Sequence, residues 1–165
     1  MVSVYNETFT GTATSVQFEY PNRNFVITSN TSGLILITDV KVSISNVTAY
    51  NNSNDESYFT INIDSISCCP SGIENIGSYP RNMVESSASD YSRTVPANST
   101  KTFSGPIIVA GRVRENDSNG KFNGGVYCDE NKTIVMDLSV GNNSASFDDN
   151  SSFDWEVTLI GRRII

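Results

Sequence analysis

Eighteen carboxylates and no histidine bound the chemistry open to this 165-residue chain. Without an imidazole, neither a Ser-His-Asp nor a Cys-His arrangement can be assembled, and the commonest general base near neutral pH is missing. No Gly-rich phosphate loop or Gly-x-Ser-x-Gly elbow is present. A pair of carboxylates can still hydrolyse a glycoside, but here the acidic residues gather in turn-like clusters. Two clusters bear on metals. Glu115-Asn-Asp117-Ser-Asn119-Gly120 imitates the start of an EF-hand loop, yet position 12, where a bidentate Glu belongs, is Val126. Asp148, Asp149, Asn150 and Asp154 form a second candidate calcium cluster, and solvated turn charge accounts for both. The expectation is a non-enzymatic protein with no catalytic residue, no metal and no cofactor.

Three cysteines, Cys68, Cys69 and Cys128, are too few and odd in number for a disulfide framework, and metal ligation would ask for Cys-x-x-Cys spacing or histidines. Two readings stay open: free, partly buried thiols, or a bridge to Cys128 from Cys68 or Cys69, with Cys69–Cys128 taken as the candidate disulfide. Such a bridge would close a loop of ~60 residues and add about 4 kcal/mol in the chain-entropy account. Asn-x-Ser/Thr sequons begin at Asn6, Asn30, Asn46, Asn51, Asn98, Asn116, Asn131, Asn142 and Asn150. Asn and Ser also serve β-turns directly, so turn chemistry without sugar is the expected reading and glycosylation the alternative. Tyr50, Tyr58, Tyr79, Tyr91 and Tyr127 lie in or beside polar stretches, as the aromatic planes of a sugar-binding domain or of a protein interface would.

The elements that must position these groups are strands. Phe153, Trp155, Val157 and Leu159 alternate with Asp154, Glu156 and Thr158, and Ile134, Met136, Leu138 and Val140 share a face of an earlier run. With a polar segment between them, the two runs predict a C-terminal hairpin. Val16, Phe18 and Tyr20, broken by Pro21, and then Phe25-Val-Ile-Thr28 predict another. Leu34-Ile-Leu-Ile37 leads into Val40, Val42 and Ile44, a central strand covered on both sides. Phe59, Ile61 and Ile63 point inward from a further strand, and Ile107–Val113 begins just after Pro106. Residues 1–14 read as an N-terminal arm or edge strand. Residues 67–94 carry Pro70, Gly72, Gly77 and Pro80 without sustained periodicity, and a loop of roughly 25 residues in a compact domain is unusual enough to suggest function. Eight to ten short strands with almost no helix predict one domain over residues 1–165, an all-β antiparallel β-sandwich of jelly-roll or immunoglobulin-like topology.

Charge and hydropathy narrow the partners. The net charge of -7 and pI near 4.4 disfavour phosphate backbones and anionic membranes, so no nucleic acid is expected. No run approaches the ~18 apolar residues of a membrane span, and the first residues lack a basic region followed by an apolar core. The chain is therefore expected to be made in a cytoplasm, or to be a mature form behind an added Met.

Gly11-Thr-Ala-Thr-Ser-Val-Gln-Phe18, Phe25-Val-Ile-Thr-Ser-Asn-Thr-Ser-Gly33 and Val95-Pro-Ala-Asn-Ser-Thr-Lys-Thr-Phe103 resemble the strand and turn phrasing of small β-sandwich proteins of tailed-phage virions, including capsid decoration and head-fibre components. The likeness covers about a fifth of the chain and brings no site residues with it. It implies a structural protein on a virion surface, assembled in the host cytoplasm and packed against copies of itself and other virion proteins. The apolar residues of the 67–94 stretch, Tyr79, Met83 and Tyr91, are the candidate contacts. The alternative expectation is a secreted or cell-surface adhesive domain with a glycan ligand.

Overall fold

The computed structural model describes residues 2–14, 24–28, 33–70, 82–87, 92–114, 125–129, 132–141 and 152–164. They form eleven strands: β1 (Val2–Thr14), β2 (Asn24–Thr28), β3 (Leu34–Asn51), β4 (Ser57–Pro70), β5 (Asn82–Ser87), β6 (Ser92–Val95), β7 (Ser99–Phe103), β8 (Ile107–Val113), β9 (Val126–Cys128), β10 (Lys132–Gly141) and β11 (Ser152–Ile164). There is no helix among the described residues. That follows from a chain rich in Val, Ile and Thr, whose branched side chains lose rotamer freedom in a helix and pack well on a pleat.

All pairings are antiparallel, and one hydrogen-bonded path runs β1-β11-β3-β8-β5-β4-β10-β2. The sheet curls into two halves. In the first, β3 is central: β11 covers one flank, while β9, β8 and β7 cover the other in succession. In the second, β4 lies between β10 on one side and β6 and β5 on the other. β5 joins the halves, pairing Asn82 and Met83 with β4 and Val84 to Ser87 with β8. Buried side chains from both halves, among them Ile37, Val42, Val109 and Leu159 from the first and Ile63, Ile66, Ile134 and Met136 from the second, form a single core.

Three sequence expectations change. The C-terminal hairpin does not form: β10 pairs with β4 and β2, and β11 with β1 and β3. Their apolar faces meet through the core instead of lying side by side, because alternation fixes which face is buried and leaves the neighbour open. The stretch 67–94 is not one long loop, since it holds the end of β4, all of β5 and the start of β6. A six-residue strand shared between two neighbours is too short to show a period, which hid β5 from the sequence reading. Finally, Leu34–Ile37 is buried on one side and half-buried on the other, with Ile35 and Ile37 alone fully enclosed. The hairpin partner proposed for Phe25–Thr28, residues 16–20, lies outside the described residues.

Candidate functional site

The sheet is disturbed on both sides of β3 at Asn46. The buried positions of β3 run Ile35 and Ile37, then Val40, Val42 and Ile44, then Val47 and Ala49, so the phase slips at residue 38 and again at residue 46. Each slip is a bulge. On the β11 side the register jumps from Asp154 opposite Ser45 to Ser152 opposite Thr48, and on the other side β3 changes partner from β8, ending at Ile44, to β7, starting at Val47. Asn46 adopts φ 49°, the left-handed region that Asn tolerates better than other residues with a Cβ.

The bulge opens a groove of about 590 Å³ lined by Asn46, Val47, Thr48, Thr102, Phe103, Ser104 and Gly105. Behind it, Asn46 Nδ2 donates to Asp154 Oδ2 (2.8 Å) and Thr12 Oγ1 to Asp154 Oδ1 (2.8 Å), tying β3, β11 and β1 through one carboxylate. The Asn46 bond, then the Thr12 bond, holds the Asp154 carboxyl below the usual carboxylate range. The groove is open, has polar and apolar wall in about equal measure, and offers one half-buried aromatic ring, Phe103. That composition suits weak contact with a hydroxylated ring and lacks converging acid and base groups.

Of the candidate tyrosines, the two whose side chains are described, Tyr50 and Tyr127, do not form a common platform. Tyr50 and Tyr127 are exposed on the same outer face, but Tyr127 lies opposite Leu36, fourteen positions along β3 from Tyr50. At ~3.3 Å per residue this is on the order of 45 Å, too far for one ligand. Phe103 is the aromatic that a sequence reading missed; the slip of apolar phase between Ile44 and Val47, with Asn at the break, was the signal. Tyr79 and Tyr91 lie outside the described residues, and Met83 sits on β5 with its backbone paired to Ser65. The Glu115–Gly120 segment and Asp148, Asp149 and Asn150 also lie outside them. Among the described residues no group of three or more His, Cys, Asp or Glu is placed to hold a metal ion.

Four sequons are described. Asn6, Asn46 and Asn98 are exposed, whereas Asn51 is buried. The Asn51 amide donates to the carbonyls of Asp55 (2.9 Å), Val95 (3.1 Å) and Pro96 (3.1 Å), and its oxygen accepts from the Ser53 amide (3.0 Å). It clamps the crossing from β3 to β4 onto the crossing from β6 to β7, and its nitrogen has no room for a sugar. Asn98, at φ 49°, completes this polar corner by donating to Asn54 Oδ1 (3.1 Å). Asn30, Asn116, Asn131, Asn142 and Asn150 lie outside the described residues.

A disulfide joins Cys68 of β4 to Cys128 of β9 and so links the two halves across 60 residues. This corrects the expected Cys69–Cys128 pair and replaces the reading of three free thiols. The cause is a third bulge. Ser65 lies opposite Asp137 and Ile63 opposite Leu138, so Asp64 is an extra residue and the buried face passes from Ile63 to Ile66. With the phase moved by one, Cys68 joins Ile134 and Met136 on the core side, while Cys69, a buried free thiol, falls on the opposite face with Ser65 and Ser67.

At the other end of the first half, Tyr5 is buried and donates to Glu7 Oε2 (2.6 Å), with the Arg163 guanidinium 6.0 Å from its ring centre. Burial first, then the hydrogen bond to Glu7 and its charge, push the phenol well above its ordinary pKa, with Arg163 opposing. Tyr5 is thus a neutral donor closing the core. No protein family matches the chain, and no curated protein matches it.

Proposed function

We propose that the chain is a non-enzymatic structural protein of a virion surface, an accessory capsid, decoration or fibre-associated subunit, with its two halves arranged as the layers of a β-sandwich. The observation that supports this reading is β1. It is thirteen residues long, pairs among the described residues with β11 alone, and exposes Val2 by 61% and Val4 by 84%. A strand edge of that length carries unpaired backbone donors and acceptors, which chains working alone usually guard. Asp154 is spent on the neighbouring strands β1 and β3, and Glu7 and Asp39 on hydroxyls of their own strands. The test is sedimentation of the oxidised protein up to about 1 mM, together with mass spectrometry of purified particles. Concentration-dependent association and recovery from particles support the proposal; a strict monomer that binds glycans overturns it.

The second reading is a secreted or cell-surface adhesive domain, favoured by the Cys68–Cys128 bridge and the Asn46 groove. Disulfides persist in oxidising surroundings, including cell and virion surfaces, so the bridge fits either form of display better than lifelong residence in a reducing cytoplasm. Intact mass of the native protein separates the two: hexose-bearing mass at Asn6, Asn46 or Asn98 favours the adhesive form.

A further inference from the structure

We infer that β1 pairs antiparallel with β1 of a second copy, about a two-fold axis at Thr8, extending the sheet across the interface. This rests on the assembly reading above and names its surface. β1 and β11 stay in one register over thirteen pairs, from Val2 opposite Ile164 to Thr14 opposite Ser152, with no bulge to twist the edge away. The strand contains no Pro, Lys or Arg, and its only charged residue is Glu7. Natural edges use Pro, Lys and bulges to prevent pairing, and β1 has none of these; its one inward-facing charge, Glu7, is tied to the Tyr5 hydroxyl.

Charge argues for a copy as the occupant. The outer row of β1 is Val2, Val4, Asn6, Thr8, Thr10 and Thr12, without a charge, so two molecules each carrying -7 can meet there with no like charges opposed on that row. Registers about the axis differ in what they oppose. Centring on Glu7 sets two carboxylates directly against each other, which is destabilising. Centring on Thr8 overlaps all thirteen residues, places Glu7 opposite Phe9 and Tyr5 opposite Gly11 of the copy, and sets Val4 against Thr12. A closed, isologous pair results. Thirteen residues at ~3.4 Å make a strip ~44 Å long, and at ~10 Å wide it buries roughly 440 Å² per partner, below the ~800 Å² of a standard stable interface. The contact is therefore weak in solution and becomes effective where copies are held close, as on a particle surface.

The test uses the full chain with its disulfide intact. Thr8→Cys, oxidised at about 0.5 mM, is expected to give a covalent dimer. Thr158→Cys, one strand further in, is expected to give none, since the two copies of that position would stand about 14 Å apart. Val4→Lys/Thr10→Lys, at two exposed positions, is expected to raise the dimer dissociation constant at least tenfold with an unchanged thermal midpoint. If the wild type associates and neither edge variant behaves differently from its control, β1 pairing is overturned while assembly through another surface stands. If the wild type stays monomeric at 1 mM and Thr8→Cys does not cross-link, both readings fall.

Discussion

Strand β11 has two neighbours, and they treat it differently. Against β1 it holds one register for all thirteen pairs, whereas against β3 the register shifts twice, at Thr38 and Asn46. The shifts originate in β3, because the inward residues of β11, Phe153, Trp155, Val157 and Leu159, keep strict alternation throughout. An unbroken ladder leaves a straight edge able to accept another strand. A bulged ladder twists locally, gives up pairing, and opens space for side chains such as Asn46 and for a groove. Assembly and recognition thus make opposite demands on a sheet, and under the proposed reading they fall on the two sides of one strand.

The largest contrast to measure lies in two glycines of these ladders. Gly161 sits opposite Ile37, where β3 bulges, and a Cβ there would overlap the Leu36 carbonyl, a backbone group that cannot step aside. Gly11, opposite Trp155 in the regular ladder, would meet the half-buried indole of Trp155, a side chain and not a backbone group. We expect Gly161→Ala to cost about 4 kcal/mol or more and Gly11→Ala about 1–2 kcal/mol by urea denaturation. Gly105→Ala, with nothing near its Cβ, should stay within about 0.5 kcal/mol. Equal costs at Gly161 and Gly11 would mean that the bulged region yields as easily as the regular one.

How far the sequence disclosed this arrangement depends on what alternation can encode. The faces of β11 and the paths of β3, β4 and β8 are legible, since each buries a periodic set. The bulges are legible too: Ile37 to Val40, Ile44 to Val47 and Ile63 to Ile66 each skip three instead of two, with Thr38, Asn46 or Asp64 in the gap. Which strand lies beside which is not encoded in this way. Ile134 and Met136 share a core with Phe153 and Val157 whether their strands are paired or opposed, and the structure opposes them. The candidate site was missed for a related reason, since Phe103 and Asn46 lie far apart in sequence and meet only because β7 pairs with β3.

The Asp64 bulge provides the next test, because it decides which cysteine reaches Cys128. Cys68→Ser removes a link closing 60 residues and should lower stability by about 4 kcal/mol, leaving Cys128 as a buried thiol. Cys69→Ser, a near-isosteric change beside the Ser67 hydroxyl that accepts its thiol at 3.5 Å, should cost about 1 kcal/mol and leave the bridge intact. Peptide mapping of the non-reduced protein reads the same point directly. A Cys69–Cys128 peptide in the wild type would show that β4 pairs without the bulge.

The smallest effect concerns the carboxylate that spans both ladders. Asp154 accepts from Thr12 on the regular side and from Asn46 on the bulged side, and its folded pKa lies below its ordinary value. A depressed pKa means that the folded state binds the proton less readily than the unfolded chain, so the contribution is complete above about pH 4 and fades as pH falls through the folded value. Wild type should therefore exceed Asp154→Asn in urea midpoint at pH 6, and the gap should close as acidification carries the pH through the folded pKa. Asn46→Gly keeps the left-handed backbone but deletes the leading donor, so it should shrink that pH-dependent gap without abolishing it, while Thr12→Ala should remove a smaller part. A gap that survives acidification unchanged would mean that Asp154 acts through the shape of its side chain, and the electrostatic tie between the regular and bulged ladders would have to be abandoned.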